Sequence, residues 1–377
     1  MSRDALFYWH YDSVVVLCGM ILAIQGVWMG ISVRILQANH GDCILVTHEG
    51  PDGVFNLLID GGNAATFKYG SPPIRKGALC IVLDELKAKG QHIDLAILTH
   101  IDDDHIGGLL RAFKAPGYLS DMVKSVWFNS SRLITDHFNA PAIPANDLYL
   151  SGDSPETSVR QGKLFETLLD EIGCDRAPLV MAGQTIQSGP FTFTILSPNE
   201  EKLQKLLSVW PREKSPAETS RETDYALSFE EILANDSFEA DKSIPNGSSI
   251  AFILKADDKT MLFLGDAHDG AVISMLRTLG YSADSKLSVD LVKVSHHGSQ
   301  YNTSREFLEL VASDRFIISS NGSIHGLPNK RVIARILAGS DASIFFNYSK
   351  IIGQILLSHE EDAYPERLIG LCEEIVL

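Results

Sequence analysis

One short segment constrains this chain more than any other. Within LTHIDDDHIGGL, running from Leu98 to Leu109, the residues His100, Asp102, Asp104 and His105 fall within six positions, directly after the apolar run IDLAILT. Four ionisable side chains gathered on one turn repel or are desolvated without compensation, unless a divalent cation turns them into ligands. Gly107 and Gly108 follow at once and let the backbone pass closely into a helix. The spacing therefore predicts a strand that ends at a metal-binding turn, with a helix behind it.

Length and composition bound the rest. With 377 residues, 45% of them apolar, the chain can bury a large core, and its charged residues are dispersed, which argues against long disorder. The net charge of -16 opposes a broad basic surface for nucleic acid, although a local groove or bound cations can still hold a phosphate. The five cysteines, Cys18, Cys43, Cys80, Cys174 and Cys372, contain no CxxC pair. They read as free thiols in a reducing, cytoplasmic setting. Residues Ser13 to Ile31 form an apolar run of about bilayer-spanning length. The alternative to a cytoplasmic protein is thus one anchored through this segment. Residues 1–28 are expected to be an extension, as an anchor or outside the functional unit, and 29–377 the functional domain.

Period-two alternation and turn signals predict strands at ISVRILQA, CILVTHEG and VFNLLID, the last ending at Gly61-Gly62. A helix is expected from Arg75 to Lys89, with Leu79, Val82, Leu83 and Leu86 on one face and Gly90 as its stop. Residues from about 116 to 244 are less regular and read as an elaborated insertion. It contains helical pieces at Gly162 to Ile172 and Glu200 to Leu207, a strand FTFTIL, and a surface loop from Ser215 to Lys242. Strands resume at SSIAFILKA, MLFLGD and VDLVKVS. A helix capped at Thr303 with Glu306 three residues on, the strand FIISS, a helix from Pro328 to near Gly339, and two strands between Ala342 and Leu357 complete the pattern. Two comparable β-rich halves, each followed by helices, fit an α/β class with a four-layer αβ/βα sandwich.

The segment around His100 resembles the HxHxDH signature of metallo-β-lactamase-fold hydrolases, with Asp102 in place of the second histidine. In this variant it is similar to the C-terminal domain of the DNA-uptake protein ComEC and its stand-alone relatives. HGDCILV (40–46) and LLIDGG (57–62) resemble the family's opening strands, and the resemblance implies that Asp60 steadies the metal-bearing loop. FLGDA places Asp266 where the family has a carboxylate bridging two metals. VKVSHHGSQ (292–300) resembles the element in which one histidine completes the metal shell and the other holds substrate or moves a proton. His296 is favoured as the ligand and His297 as the second group, with the reverse left open. NGSIHGLPN (321–329) resembles a later Asn, His and Pro element, but Gly326 and Leu327 separate His325 from Pro328, so His325 is assigned to substrate or leaving-group contact. A further histidine common in dinuclear members is missing. Only His137 lies in the right interval, in an unrelated context. His10, His48, His92, His268 and His359 read as structural or surface residues.

The implied ligand set is His100, Asp102, Asp104, His105, Asp266 and His296, with Asp104, His297 and His325 in catalytic roles. Nitrogen and carboxylate donors without cysteine suit zinc, one or two ions, with manganese as the harder alternative. The expected activity is hydrolysis of a phosphodiester, in nucleic acid or a smaller phosphate ester, by a metal-bound hydroxide. Two alternatives stay open: a hydrolase of lactam, lactone or thioester substrates on the same fold, and a non-catalytic partner module.

Overall fold

In the strand Gly30–Ile35 the alternate residues Ile31, Val33 and Ile35 point inward, as period-two patterning requires. The same alternation recurs along a computed structural model that describes residues 30–140, 158–209, 223–361, 363–364, 366–371 and 374–377. The apolar run before residue 30, and the question of an anchor, lie outside the described residues. Among these residues no helix is long and apolar enough to cross a membrane.

Two sheets carry the architecture. The first has the order Ile375–Val376, Gly30–Ile35, Ile44–Gly50, Gly53–Ile59, Ile93–Ile97, Val123–Trp127, Asp175–Arg176. The second has the order Leu368–Gly370, Ser343–Phe346, Arg315–Ile318, Leu291–Lys293, Lys259–Phe263, Ala251–Ala256, Phe191–Ser197, Thr185–Ser188. Each sheet is antiparallel in one half and parallel in the other. Val33, Val46, Leu57 and Ile97 of the first sheet meet Phe193, Phe252, Phe263 and Ile317 of the second in a dry middle layer. The helices Ala78–Ala88 and Asp103–Lys114 cover the outer face of the first sheet. Asp269–Thr278 and Lys330–Gly339 cover that of the second. The result is the α/β, four-layer αβ/βα sandwich expected of the metallo-β-lactamase fold.

Four sequence expectations are corrected. Residues 116–244 are not simply inserted: Val123–Trp127 and Asp175–Arg176 extend the first sheet, and Thr185–Ser188 and Phe191–Ser197 the second. Residues 223–242 are largely a surface segment but not only a loop. Phe229 and Ile232 of the helix Phe229–Ala234 enter the core, and Asp236, partly buried, accepts hydrogen bonds from Arg305, Arg331 and Arg335, so this charge is paired. The cap near 303 is Ser304, one residue later than expected, which removes Glu306 from the capping-box position. Between Ala342 and Leu357 only Ser343–Phe346 is a strand, and Ile352–Ile355 is a helical turn.

Parallel strands of both sheets direct their carboxyl ends to one edge of the sandwich. Asp60 follows Gly53–Ile59, His100 follows Ile93–Ile97, Asp266 follows Lys259–Phe263, and the histidine pair follows Leu291–Lys293. Ligand sites in open α/β sheets lie at such ends.

Candidate metal centre

The turn at His100 is held from below by Asp60. Its buried carboxylate accepts from Thr99 N and Thr99 Oγ1, both at 2.7 Å, and from His105 Nδ1 at 2.8 Å. Having given its hydrogen to Asp60, Thr99 Oγ1 is left to accept from His100 Nδ1 at 3.1 Å. His297 Nδ1 donates to Ser319 O at 3.0 Å, and His296 Nδ1 to Asn302 Oδ1 at 3.0 Å. Four imidazoles thus keep a proton on Nδ1 and turn Nε2 inward, the arrangement of metal-ligating histidines.

All four Nε2 atoms surround the carboxylate of Asp266. Oδ1 lies 3.4 Å from His105 and 3.7 Å from His297, while Oδ2 lies 3.8 Å from His100 and 3.7 Å from His296. Asp102 stands 3.7 Å from His100, and Asp104 lies 3.3 Å from His297 and 4.0 Å from His105. The structure therefore brings together every residue expected as a ligand, and divides them between the two oxygens of Asp266. His100 Nε2, His105 Nε2, His297 Nε2 and Asp266 Oδ1 are buried without a hydrogen-bond partner. Buried polar atoms are seldom left so. Orphaned atoms of this donor type, facing one another, fit a divalent cation.

One grouping of donor atoms able to hold an ion comprises Asp42, His105, Asp266 and His297. Asp42 was not singled out from the sequence. It precedes the strand Ile44–Gly50, is ion-paired with the buried Lys293, and puts Oδ1 3.4 Å from His297 Nδ1. The division of labour between the two histidines, left open by the sequence, is not an either-or in the geometry: His297, 2% exposed and with its outer nitrogen committed to Ser319 O, packs in the inner cluster at the wall of the cavity onto which the cluster opens. His296 faces Asp266 as well. Both residues adopt left-handed backbone, with φ of 48° and 53°, a conformation costly outside glycine and typical of functional sites.

The electrostatics follow from this packing. Burial alone would lower His297, but Asp266, Asp42 and Asp104 outweigh it and push its pKa up to about 10. His105 is raised in the same way against its burial by Asp266, Asp60 and Asp104. Conversely, burial would raise Asp104, yet His105 and His297 hold it well below the usual carboxylate range. The cluster opens into a cavity of about 730 Å³ lined in part by Asp102, Asp104, His296, Tyr301, His40 and His325. Burial lowers His40 and His325, keeping both neutral near pH 7.

Apart from His268, whose Nε2 lies 4.0 Å from Asp241 Oδ2, the other described histidines stand away from this cluster. His137 lies 3.7 Å from Glu200, His48 pairs with Asp257 and His92 with Asp94. His359 is exposed, and His10 is outside the described residues. His268 is buried, held by Lys202 Nζ and Ser243 O, both at 2.8 Å. His40, Asp42, Thr99, Asp241 and Asn302 are site residues that sequence reasoning missed. For Asp42 a signal existed, the Gly-Asp pair opening a strand in HGDCILV.

One family model matches part of the chain. Residues 37–173 match the family model described as Metallo-beta-lactamase superfamily. No curated protein sequence matches it. Among solved structures it is similar to CmlA, a diiron beta-hydroxylase from Streptomyces venezuelae, at 15% identity and a TM-score of 0.41, covering 93% of this chain and 54% of that one. The metallo-beta-lactamase fold protein YhfI from Bacillus subtilis is 12% identical, with a TM-score of 0.41 and coverage of 92% and 99%. Zn²⁺-bound PqqB from Methylobacterium extorquens is 11% identical, with a TM-score of 0.36 and coverage of 93% and 99%. The chain spans about half the length of the beta-hydroxylase chains it matches.

Proposed function

We propose that this chain is a metal-dependent hydrolase of phosphodiester bonds, acting on nucleic acid or a smaller phosphate ester, with zinc or manganese as its resident cation. The convergence of unpartnered histidine Nε2 atoms on the two oxygens of Asp266 carries the metal-dependent part of this reading. The phosphodiester part rests on the resemblance of residues 100–108 and of the His296-His297 element to the ComEC C-terminal domain. Free thiols at Cys43, Cys80 and Cys174 support a cytoplasmic setting.

His100, Asp102 and His296 would hold a cation with one oxygen of Asp266, and Asp104, His105 and His297 with the other. A bound divalent cation polarises a phosphoryl oxygen and lowers the pKa of water toward ~7. The chain's own residues do the rest. Asp104, a carboxylate at the cavity wall, would accept a hydrogen from the attacking water and so orient it. Neutral His325 at the cavity wall donates a hydrogen bond to a phosphoryl or leaving-group oxygen, and His40 is available on the same wall.

The test is metal analysis of the purified protein, with assays on bis(p-nitrophenyl) phosphate, single-stranded DNA and nitrocefin. Cleavage of a phosphate ester is expected, and loss of it in Asp104→Ala and His105→Ala. Cleavage of nitrocefin alone would transfer the reading to lactam chemistry on the same fold. Unchanged activity in both variants would remove the mechanism.

A further inference from the structure

His296 differs from the other inward-facing histidines in what holds it. His105 and His100 are braced by the Asp60 to Thr99 network within the first half, and His297 by a backbone carbonyl. His296 stays about a quarter exposed, with side-chain exposure of 24%, on left-handed backbone, and it relies on a polar cage from two other segments. Asn302 Oδ1 lies 3.0 Å from its Nδ1, and Asp241 Oδ2 lies 3.4 Å from the same atom. Asp241 is itself anchored. Its Oδ2 accepts from Asn246 Nδ2 at 2.8 Å and Asn302 Nδ2 at 3.1 Å, and its Oδ1 from Ser243 N at 2.8 Å. Asn302 Nδ2 also reaches Asp266 O and Ala267 O, each at 3.3 Å, tying the cage to the loop that presents Asp266.

Asp241 is therefore saturated on the side of His296 away from Asp266. It faces the ring's Nδ1, not the orphaned donor atoms, which distinguishes it from the carboxylates of the inner cluster. Asn302 Oδ1 and Asp241 Oδ2 are acceptors at Nδ1, where Asn246 Nδ2 also lies 3.3 Å away, and a proton on Nδ1 leaves the Nε2 lone pair toward Asp266 Oδ2, 3.7 Å away. The supports thus differ: Asp60 braces His105 directly and His100 through Thr99, whereas His296 leans on Asp241 and Asn302.

We infer that Asp241 and Asn302 are positioning residues that make His296 a ligand to a second cation, on the Asp266 oxygen shared with His100. This rests on the metal-dependent reading above. It gives the acidic segment before residue 242 a role in the centre, although that segment lies outside the part matched by the superfamily model.

The experiment is titration of metal-free full-length protein with Zn²⁺ and, separately, Mn²⁺, read by calorimetry and native mass spectrometry. The wild type is expected to take up two ions. Asp241→Asn, which keeps the shape, and Asn302→Ala, which removes the other contact, should each weaken one of the two by about 10- to 100-fold and leave the other unchanged. The double variant should lose no more than either single one, whereas Asp60→Asn, which touches His105 directly and His100 through Thr99, should weaken both ions. Thermal melting of the metal-free variants reports whether they fold. Two ions bound with wild-type affinity in both folded variants would overturn the inference, and so would a single ion in the wild type insensitive to both. No ion in the wild type would overturn the metal reading itself.

Discussion

At the scale of single residues, the centre shows how neighbours decide what a histidine does. His325 and His40, with burial as their main influence, are held neutral. His297, buried among Asp266, Asp42 and Asp104, is pushed up to about 10, because three carboxylates outweigh the cost of burying its charge. In the metal-free protein this charge is stabilising. The contribution is complete below the unfolded pKa of about 6.5 and is lost as pH rises through the folded value. A cation needs the nitrogen lone pair, so its binding must expel the proton. Metal uptake should therefore strengthen from pH 6 to pH 8, by about tenfold per pH unit for each proton released. Calorimetry in two buffers of different ionisation enthalpy counts those protons. Uptake that is independent of pH, with no proton release, would mean that His297 does not bind the ion.

At the scale of elements, the decisive contact is backbone against backbone. The helix Asp103–Lys114 lies so close to the turn after Gly53–Ile59 that Gly108 N donates to Gly62 O and Gly61 N to His105 O, both at 2.8 Å. A Cβ at Gly108 would stand 2.0 Å from Gly61 O, with no flexible side chain to yield. Gly108→Ala is expected to cost about 3 kcal/mol and to disturb the metal-bearing turn. Gly270, in the first turn of Asp269–Thr278, meets nothing within 4 Å, and Gly270→Ala should gain about 0.5 kcal/mol. Urea unfolding of the two variants checks both signs, and similar effects at the two sites would contradict the packing argument. This contact was legible in the sequence because Gly107 and Gly108 directly follow the His and Asp turn. The ligands of that turn were legible for the same reason, being neighbours in the chain. Asp241 and His40 were not, and for Asp42 only the Gly-Asp pair before its strand gave a sign. All three acquire their places from tertiary contacts across the sandwich, which local spacing does not encode. The acidic stretch before residue 242 misled in part because composition cannot distinguish a solvated carboxylate from Asp236, paired with three arginines.

At the scale of the whole molecule, the centre is built from both halves of the sandwich, and something must hold those halves in register. The superfamily model matches residues 37–173, yet Asp266, His296 and His297 come from the second half. The ion pair of Asp42 with Lys293 crosses from one half to the other, with both side chains only 1% exposed. Lys293 sits in the strand Leu291–Lys293, immediately before the histidine pair, and its ammonium also donates to Val294 O at 3.0 Å. His297 and Lys293 together hold Asp42 well below the carboxylate range despite its burial. Lys293→Met preserves most of the volume but leaves the Asp42 carboxylate buried with only His297 to offset it, an arrangement expected to cost about 3 kcal/mol. Lys76 pairs with Asp84 at 2.7 Å on the surface, where solvent screens the interaction, so Lys76→Met should change stability far less. Urea unfolding of the two metal-free variants at pH 7 compares them. Equal losses would show that the Asp42 to Lys293 pair contributes no more than an exposed one, and that the two halves are held together by the apolar middle layer alone.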